Sequence, residues 1–225
     1  MMHRQKDKKI FICLLIFFLL GTLNNKYLSN FEFLKINKIH VSGLSEKENL
    51  EIIKKLNFLK MSNLLFLDDT KTKNILKSYN KIEEFYVFKK YPNKIEVKVN
   101  KTNFLAITKK NGKNYFLGSN GKLIETKDMK NNIPFIFGSY DNKEFLNLYN
   151  IFQNTKFDYK SIKNLFSFPS GRWDIEMYSG VLIKLPKENL KDSIFFVIEI
   201  MNDDKFKNAR VIDIRQKNQL IINEQ

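Results

Sequence analysis

The hydrophobic pattern of the chain opens on one unbroken block and then turns periodic. Ile10–Leu23 (IFICLLIFFLLGTL) carries no charge, and eleven of its fourteen residues are Ile, Leu or Phe. Each such residue favours insertion by ~0.3–0.6 kcal/mol near a helix centre, so the block supplies roughly 3–7 kcal/mol toward a membrane-inserted helix. With Asn24 and Asn25 it fills the sixteen residues between Lys9 and Lys26. That is about 24 Å of helix against a bilayer core of ~30 Å. Lys8, Lys9 and Lys26 can reach across the shortfall, and Tyr27 suits an interface. A cleaved signal peptide has a block of this length too, but the following GTLNNKYLSN lacks an A-x-A-like site. The pattern predicts an uncleaved signal anchor. Arg4, Lys6, Lys8 and Lys9 against the single acid Asp7 keep the N-terminus in the cytoplasm and send the C-terminus outward.

Beyond the connector Lys26–Lys35 the pattern changes. Ile36-x-x-Ile39-x-Val41-x-Gly43 reads as a short strand closed by a glycine. Ser45-Glu-Lys-Glu48 is a capping box, and Leu50, Ile53 and Leu56 recur at helical spacing behind it. Asn63-LLFLD is an apolar link. Asp68, Asp69 or Thr70 caps a second helix, with Ile75, Leu76 and Tyr79 inward. Ile82–Lys89 is a strand and Tyr91-Pro92-Asn93 a turn. Ile95, Val97 and Val99 then alternate with Lys94, Glu96 and Lys98, as a half-buried strand requires. The order β-α-α-β-β puts two helices on one face of a three-stranded sheet.

A second region begins near Phe104. Leu105–Thr108, Tyr115–Leu117 and Lys122–Ile124 read as strands joined at Asn111-Gly112, a I′-type hairpin pair, and at Asn120-Gly121. Ile133–Gly138 reads as an apolar link, and Asp141 caps a helix running to about Phe152. Ile162–Phe168, Arg172–Tyr178 and Val181–Leu185 are strands, the last two joined at Ser179-Gly180. Pro186 ends the third, Asn189–Met201 fits a helix, and Val211–Arg215 and Gln219–Ile222 are the final strands. The expected fold class is α+β: a transmembrane helix, a β-α-α-β-β domain, and a mainly antiparallel β domain with flanking helices. The expected division is a tail at 1–9, an anchor at 10–25, a connector at 26–35, a first domain at 36–102 and a second at 103–225.

Composition sharpens this picture by exclusion. The net charge is +15, which by itself suggests nucleic acid. Of the 39 basic residues only Arg4, Arg172, Arg210 and Arg215 are Arg, and the 35 Lys are scattered among 27 Asn and interspersed acids. That is a biased composition, not a phosphate-binding stripe, and the topology puts it outside the cytoplasm, so no nucleic-acid partner is expected. In a chain that uses Lys for routine charge, an exported Arg points to a need for the guanidinium fork. The one Cys, Cys13, lies in the apolar block, and the two His are His3 and His40. No zinc-type cluster and no Ser-His or Cys-His nucleophile pair can be built from that set in the exported part. Gly118-Ser-Asn-Gly121-Lys122 lacks the phosphate-loop spacing. The paired acids Asp68-Asp69, Glu83-Glu84 and Asp203-Asp204 read as a cap and as surface. No cofactor, no metal and no enzyme activity are expected.

Three runs carry a family likeness. Ile36-x-x-Ile39-x-Val41-x-Gly43, Asn63-LLFLD and Val87-Phe-Lys-Lys-Tyr91-Pro92-Asn93-Lys-Ile95-Glu-Val97-Lys-Val99 resemble the POTRA domain. Arg172-Trp173-Asp-Ile175 … Gly180-Val-Leu-Ile183-Lys184-Leu185-Pro186, with Val211-Ile212-Asp213-Ile214-Arg215, resembles the C-terminal β domain of the FtsQ/DivIB cell-division family. The chain departs from the family pattern at Asn100 and Phe104, where Glu and Pro are usual, and its tail is short. The resemblance implies a non-enzymatic division scaffold in the bacterial inner membrane at the septum, with a cytoplasmic N-terminus and periplasmic domains. It implies recruitment of FtsB with FtsL, and contacts with upstream division proteins through the POTRA domain. An alternative is a POTRA-bearing envelope assembly or secretion component, a class that normally needs several POTRA copies or a long β-barrel.

The candidate partner site is the chain end, Val211–Ile222, read as the last strands and as an unpaired edge. Gln219-Leu220-Ile221-Ile222 has no charge, Pro or Gly to blunt it, so a partner can add a strand there. Gln216 lies on the same stretch. Arg215 stands at the start of the edge, where the resemblance marks a contact, and Arg172 is a second candidate on a neighbouring strand. Each can take a partner carboxylate bidentately. The competing reading has Leu220 and Ile222 finishing the core and the two Arg in internal pairs.

Overall fold

The computed structural model describes residues 3–23, 34–127, 132–216 and 219–224, and the chain forms two compact units, 1–101 and 102–225. The apolar block lies in helix α1, His3–Leu23. The charged residues of α1 occupy its first two turns, so its apolar part is only the fourteen residues from Ile10. No helix among the described residues is long and apolar enough to cross a membrane.

In the first unit, β1 (Lys38–Ser42), α2 (Glu46–Lys55), α3 (Asp69–Lys77), β2 (Ile82–Lys90) and β3 (Lys94–Lys101) follow in order. The capping box forms: the Glu48 carboxylate accepts from both the backbone N–H and the hydroxyl of Ser45. Asp68 caps α3 by accepting from the Thr70 N–H at 2.8 Å. The sheet order is β1-β3-β2, with β1 parallel and β2 antiparallel to β3. Ile95, Val97 and Val99 are buried, as their alternation requires, against Ile52, Leu56 and Leu76 from the helices. One helical position differs from expectation. Leu50 is 51% exposed and Ile52 is fully buried instead, because α2 starts at Glu46 and that phase turns Ile52 and Leu56 to the sheet. Gly43 closes β1 at φ +115°, where an added Cβ would lie 1.7 Å from the Val99 carbonyl oxygen.

The second unit is a nine-stranded sheet: β4 (Phe104–Lys110), β5 (Lys113–Gly118), β6 (Leu123–Thr126), β7 (Phe135–Gly138), β8 (Ile162–Ser167), β9 (Trp173–Met177), β10 (Leu182–Lys184), β11 (Ala209–Asp213) and β12 (Ile221–Glu224). Their order across the sheet is β12-β11-β10-β9-β8-β7-β4-β5-β6. Asn111 and Gly112 both take positive φ, so the β4–β5 hairpin has the expected turn. The segment read as an apolar link, Ile133–Gly138, contains strand β7, hydrogen-bonded in parallel to β4 and to β8. Its partners are far away in sequence, so no local pattern announced them. Helices α4 (Asn142–Thr155) and α5 (Leu190–Asn202) each connect two adjacent parallel strands, β7 to β8 and β10 to β11. Parallel neighbours need such a crossover. The sheet is therefore mixed, with antiparallel pairs in the majority.

Phe145, Leu148 and Phe152 of α4 and Ile194, Val197 and Ile200 of α5 form one core with Leu165, Trp173, Ile175, Ile183 and Ile212 of the strands. The opposite face holds a smaller cluster around Ile107, Phe116 and Ile124. Strand boundaries near the chain end are shifted by two residues from expectation. β11 ends at Asp213 rather than Arg215, and β12 begins at Ile221 rather than Gln219.

Candidate functional site

Strand β12 pairs only with β11, so its outer edge has no strand partner among the described residues. Register places residues of four strands in one row: Asp174 on β9 opposite Lys184 on β10, Lys184 opposite Asp213 on β11, and Asp213 opposite Ile221 on β12. The next row, Ile175, Ile183, Ile212 and Ile222, points the other way into the helix-covered core. Alternation thus gives this end of the sheet an oily face and a charged face. Ile221 is the apolar member of the charged row and is 52% exposed.

The two arginines stand just outside the strands. The Arg172 carbonyl accepts from the Phe168 N–H at 3.0 Å, closing a turn through Gly171 at φ +79°. That turn sets the guanidinium 4.2 Å from the Phe168 ring centroid, a cation–π contact. Its Nε also lies 3.3 Å from Asp174 Oδ1, an ion pair that lacks hydrogen-bond alignment. Arg215 follows β11. Its Nε donates to Asp213 Oδ1 at 2.8 Å and its Nη2 to Asp213 Oδ2 at 2.6 Å. The Arg215 backbone N–H donates to the same carboxylate at 3.1 Å. Both arginines thus make internal pairs, as the competing reading held. Arg215 lies between the end of β11 and the start of β12, not on the edge strand. Arg172 immediately precedes β9, which is separated from β12 by β10 and β11; it is not on a neighbouring strand.

The two buried acids of the row titrate in opposite directions. Burial lifts the Asp174 carboxyl above its usual range, against the pull of Arg172, Arg215 and Lys184. The side-chain bonds from Arg215 hold Asp213 below its usual range, although burial opposes them. One acid is gripped by a fork and the other is only approached, and this accounts for the difference.

Arg172, Arg215, Gln216 and Ile221 nonetheless meet. With Ser170, Pro186, Lys187 and Asp213 they line one concavity of 390 Å³. Gln219 and Leu220 line a second hollow of 680 Å³ between the start of α5 and the approach to β12, where Arg215 and Gln216 also stand. Leu220 and Ile222 pack against the core. Asp174, Lys184 and Asp213 were not among the expected site residues. The clue was present in Arg172-Trp-Asp174 and Asp213-Ile-Arg215, since residues two apart on extended chain share a face. Among the described residues no group of three or more His, Cys, Asp or Glu could hold a metal ion.

Comparison with known proteins agrees with this architecture. The family model "POTRA domain, FtsQ-type" matches residues 34–101, and "Cell division protein FtsQ/DivIB, C-terminal" matches residues 106–215. The cell division protein FtsQ of Rickettsia bellii (strain RML369-C) is 25% identical over 195 residues, covering 84% of this chain and 72% of that protein. FtsQ of Rickettsia felis (strain ATCC VR-1525 / URRWXCal2) is 25% identical over 227 residues, covering 95% and 84%. A solved structure, the major extracytoplasmic domain of the trans isomer of DivIB from Geobacillus stearothermophilus, matches at 14% identity over 41% of this chain and 85% of that one. Its TM-score of 0.33 is too low for the likeness to bear weight. With a POTRA match on the first unit and an FtsQ/DivIB match on the second, the chain belongs to the FtsQ/DivIB family of cell-division proteins.

Proposed function

We propose that the chain is an anchored division scaffold whose β domain adds a strand from an FtsB-like protein, held with its FtsL-like companion, at the β12 edge. The observation that carries this reading is Ile221, an exposed apolar residue on an edge strand, with Arg172, Arg215 and Gln216 on the rim of the same concavity. Added backbone bonds would supply affinity, and the rim would select side chains. Arg215 already spends its fork on Asp213, so it offers an incoming carboxylate only its remaining N–H groups. Gln219, Leu220 and Ile222 support the edge from behind. The POTRA domain would meet upstream division proteins. On this reading the protein binds and positions; it performs no reaction.

The anchor is α1, with the N-terminus in the cytoplasm of the inner membrane and both domains in the periplasm. Its fourteen-residue apolar part gives about 21 Å of helix, and the lysines before it would bridge the deficit by reaching to the headgroups. A periplasm-active reporter fused after Gln225 is expected to be active.

The binding test uses the full chain in detergent with the soluble part of the FtsB-like partner. Ile221→Lys and Arg172→Ala should each weaken capture about tenfold or more, with Trp173 fluorescence unchanged. Wild-type affinity in both folded variants would remove the edge as the site.

A further inference from the structure

The loop joining α2 to α3 presents apolar side chains to solvent while its backbone is bonded to the domain. Phe58, Met61, Leu65 and Phe66 are exposed, Met61 by 72% and Phe66 by 51%. Between them Leu59 and Leu64 are fully buried in the domain core. Backbone bonds tie the loop to the segment that enters the domain: Ile36 N–H to the Ser62 carbonyl, Met61 N–H to the Ile36 carbonyl, and Leu64 N–H to the Leu34 carbonyl, at 2.9–3.1 Å. These bonds hold the backbone at Met61, Ser62 and Leu64 against the entering segment, with the Met61 side chain left in solvent. Exposed apolar side chains clustered on one tied-down loop are a contact surface.

Position and charge select the occupant. The loop sits where the chain enters the domain, and only residues 24–33 separate α1 from Leu34. Ten residues reach at most about 35 Å, so a bilayer holding α1 lies within that reach of Leu34, whose carbonyl is bonded to this loop at Leu64. Lys54, Lys55, Lys60, Lys71 and Lys73 surround the loop in sequence, against Asp68 and Asp69. Asp68 is engaged in capping α3. The Lys71 ammonium lies 4.3 Å from the Phe58 ring centroid, which places a cation directly beside an exposed ring. Aromatic and aliphatic side chains bounded by lysines match an anionic bilayer interface, where the apolar groups enter the headgroup boundary and the ammonium groups meet phosphates.

We infer that the Phe58–Phe66 loop of the POTRA domain is a lipid-contacting surface that docks the domain on the anionic outer leaflet of the membrane holding α1. This rests on the reading of α1 as an anchor. Docking of this kind would restrict the domain's freedom above the bilayer and lower the entropy lost when partners bind.

The experiment places one environment-sensitive fluorophore at a time on the full chain in vesicles of phosphatidylcholine with about one third phosphatidylglycerol, some carrying brominated acyl chains. The sites are the native Cys13, Met61→Cys, and Tyr86→Cys on the sheet face, the latter two in a Cys13→Ser background. Bromolipid quenching at Met61 should exceed that at Tyr86 by about threefold or more, and should fall in pure phosphatidylcholine or with Lys60→Glu and Lys71→Glu. Quenching at Cys13 with Met61 no more quenched than Tyr86 overturns the docking and leaves the anchor standing. No quenching at Cys13 overturns the anchor and the docking together. A Met61 probe shielded from water but not quenched by lipid means that protein covers the loop, and overturns the docking.

Discussion

The guanidinium of Arg215 and the carboxylate of Asp213, two residues apart, form a closed fork with contacts of 2.6 and 2.8 Å. Asp213 is buried and lies opposite Lys184 on one side and Ile221 on the other, so the pair ties the chain down where it leaves β11. Arg215 is partly open to solvent, which limits its worth to about 1 kcal/mol. A double-mutant cycle of Asp213→Ala and Arg215→Ala, followed by urea unfolding at Trp173, should give a coupling of about 0.5–1 kcal/mol. A coupling of zero would mean that the pair does not hold the end of β11.

The two faces of the large sheet should respond differently to truncation. Phe145 is fully buried between α4 and the sheet, whereas Phe137 is 45% exposed on the opposite face. Phe145→Ala should cost about 3–5 kcal/mol through lost burial and a cavity. Phe137→Ala should cost about 0.5–1 kcal/mol. Equal urea midpoints for the two variants would contradict the assignment of faces.

Gly43 and Gly112 both have positive φ, but only Gly43 has the Val99 carbonyl where a Cβ would go. Gly112→Ala meets nothing and should cost about 1–2 kcal/mol of backbone strain. Gly43→Ala carries that strain and must also push β1 away from β3, for a total of about 3–5 kcal/mol. Amide exchange of β1 and β3 should speed up accordingly in Gly43→Ala and stay protected in Gly112→Ala.

Glu48 gives the first unit an acid-sensitive joint. Burial pushes its carboxyl up, but the bonds from Lys81 and Ser45 win and lower it from 4.5 to about 2. A folded value below the unfolded one means stability that is present above pH 4.5 and lost as the pH falls toward 2. Amide protection of α2 should therefore decline across that window in the wild type and less so in Glu48→Gln. Trp173, in the other unit, should not report the change. An unaltered pH profile in Glu48→Gln would show that the capping box does not couple to protonation.

Much of the first unit was legible because its signals are local. A capping box, an aspartate cap and a period-two strand each act within about eight residues, and Ile95, Val97 and Val99 are buried as that period demands. The failures lie where the deciding partner is distant. β7 has only four residues and no alternation worth reading, yet it sits in the middle of the sheet because β4 and β8 both bond to it. The phase of α2 differs from the sequence pattern at Leu50, since helical spacing alone admits more than one face.

By itself, the sequence determined the apolar block, the caps and turns, the helices, most of the strands and the family. These depend on side-chain period and on backbone preferences at single residues, which the chain carries locally. Only the tertiary structure decided the order of nine strands, the paths of α4 and α5 as crossovers, and the charged row from Asp174 to Ile221. It also decided that Arg172 and Arg215 face Asp174 and Asp213 while sharing one concavity with Ile221. Such relations are set by register between strands that are distant in sequence, and register is chosen by the core as a whole.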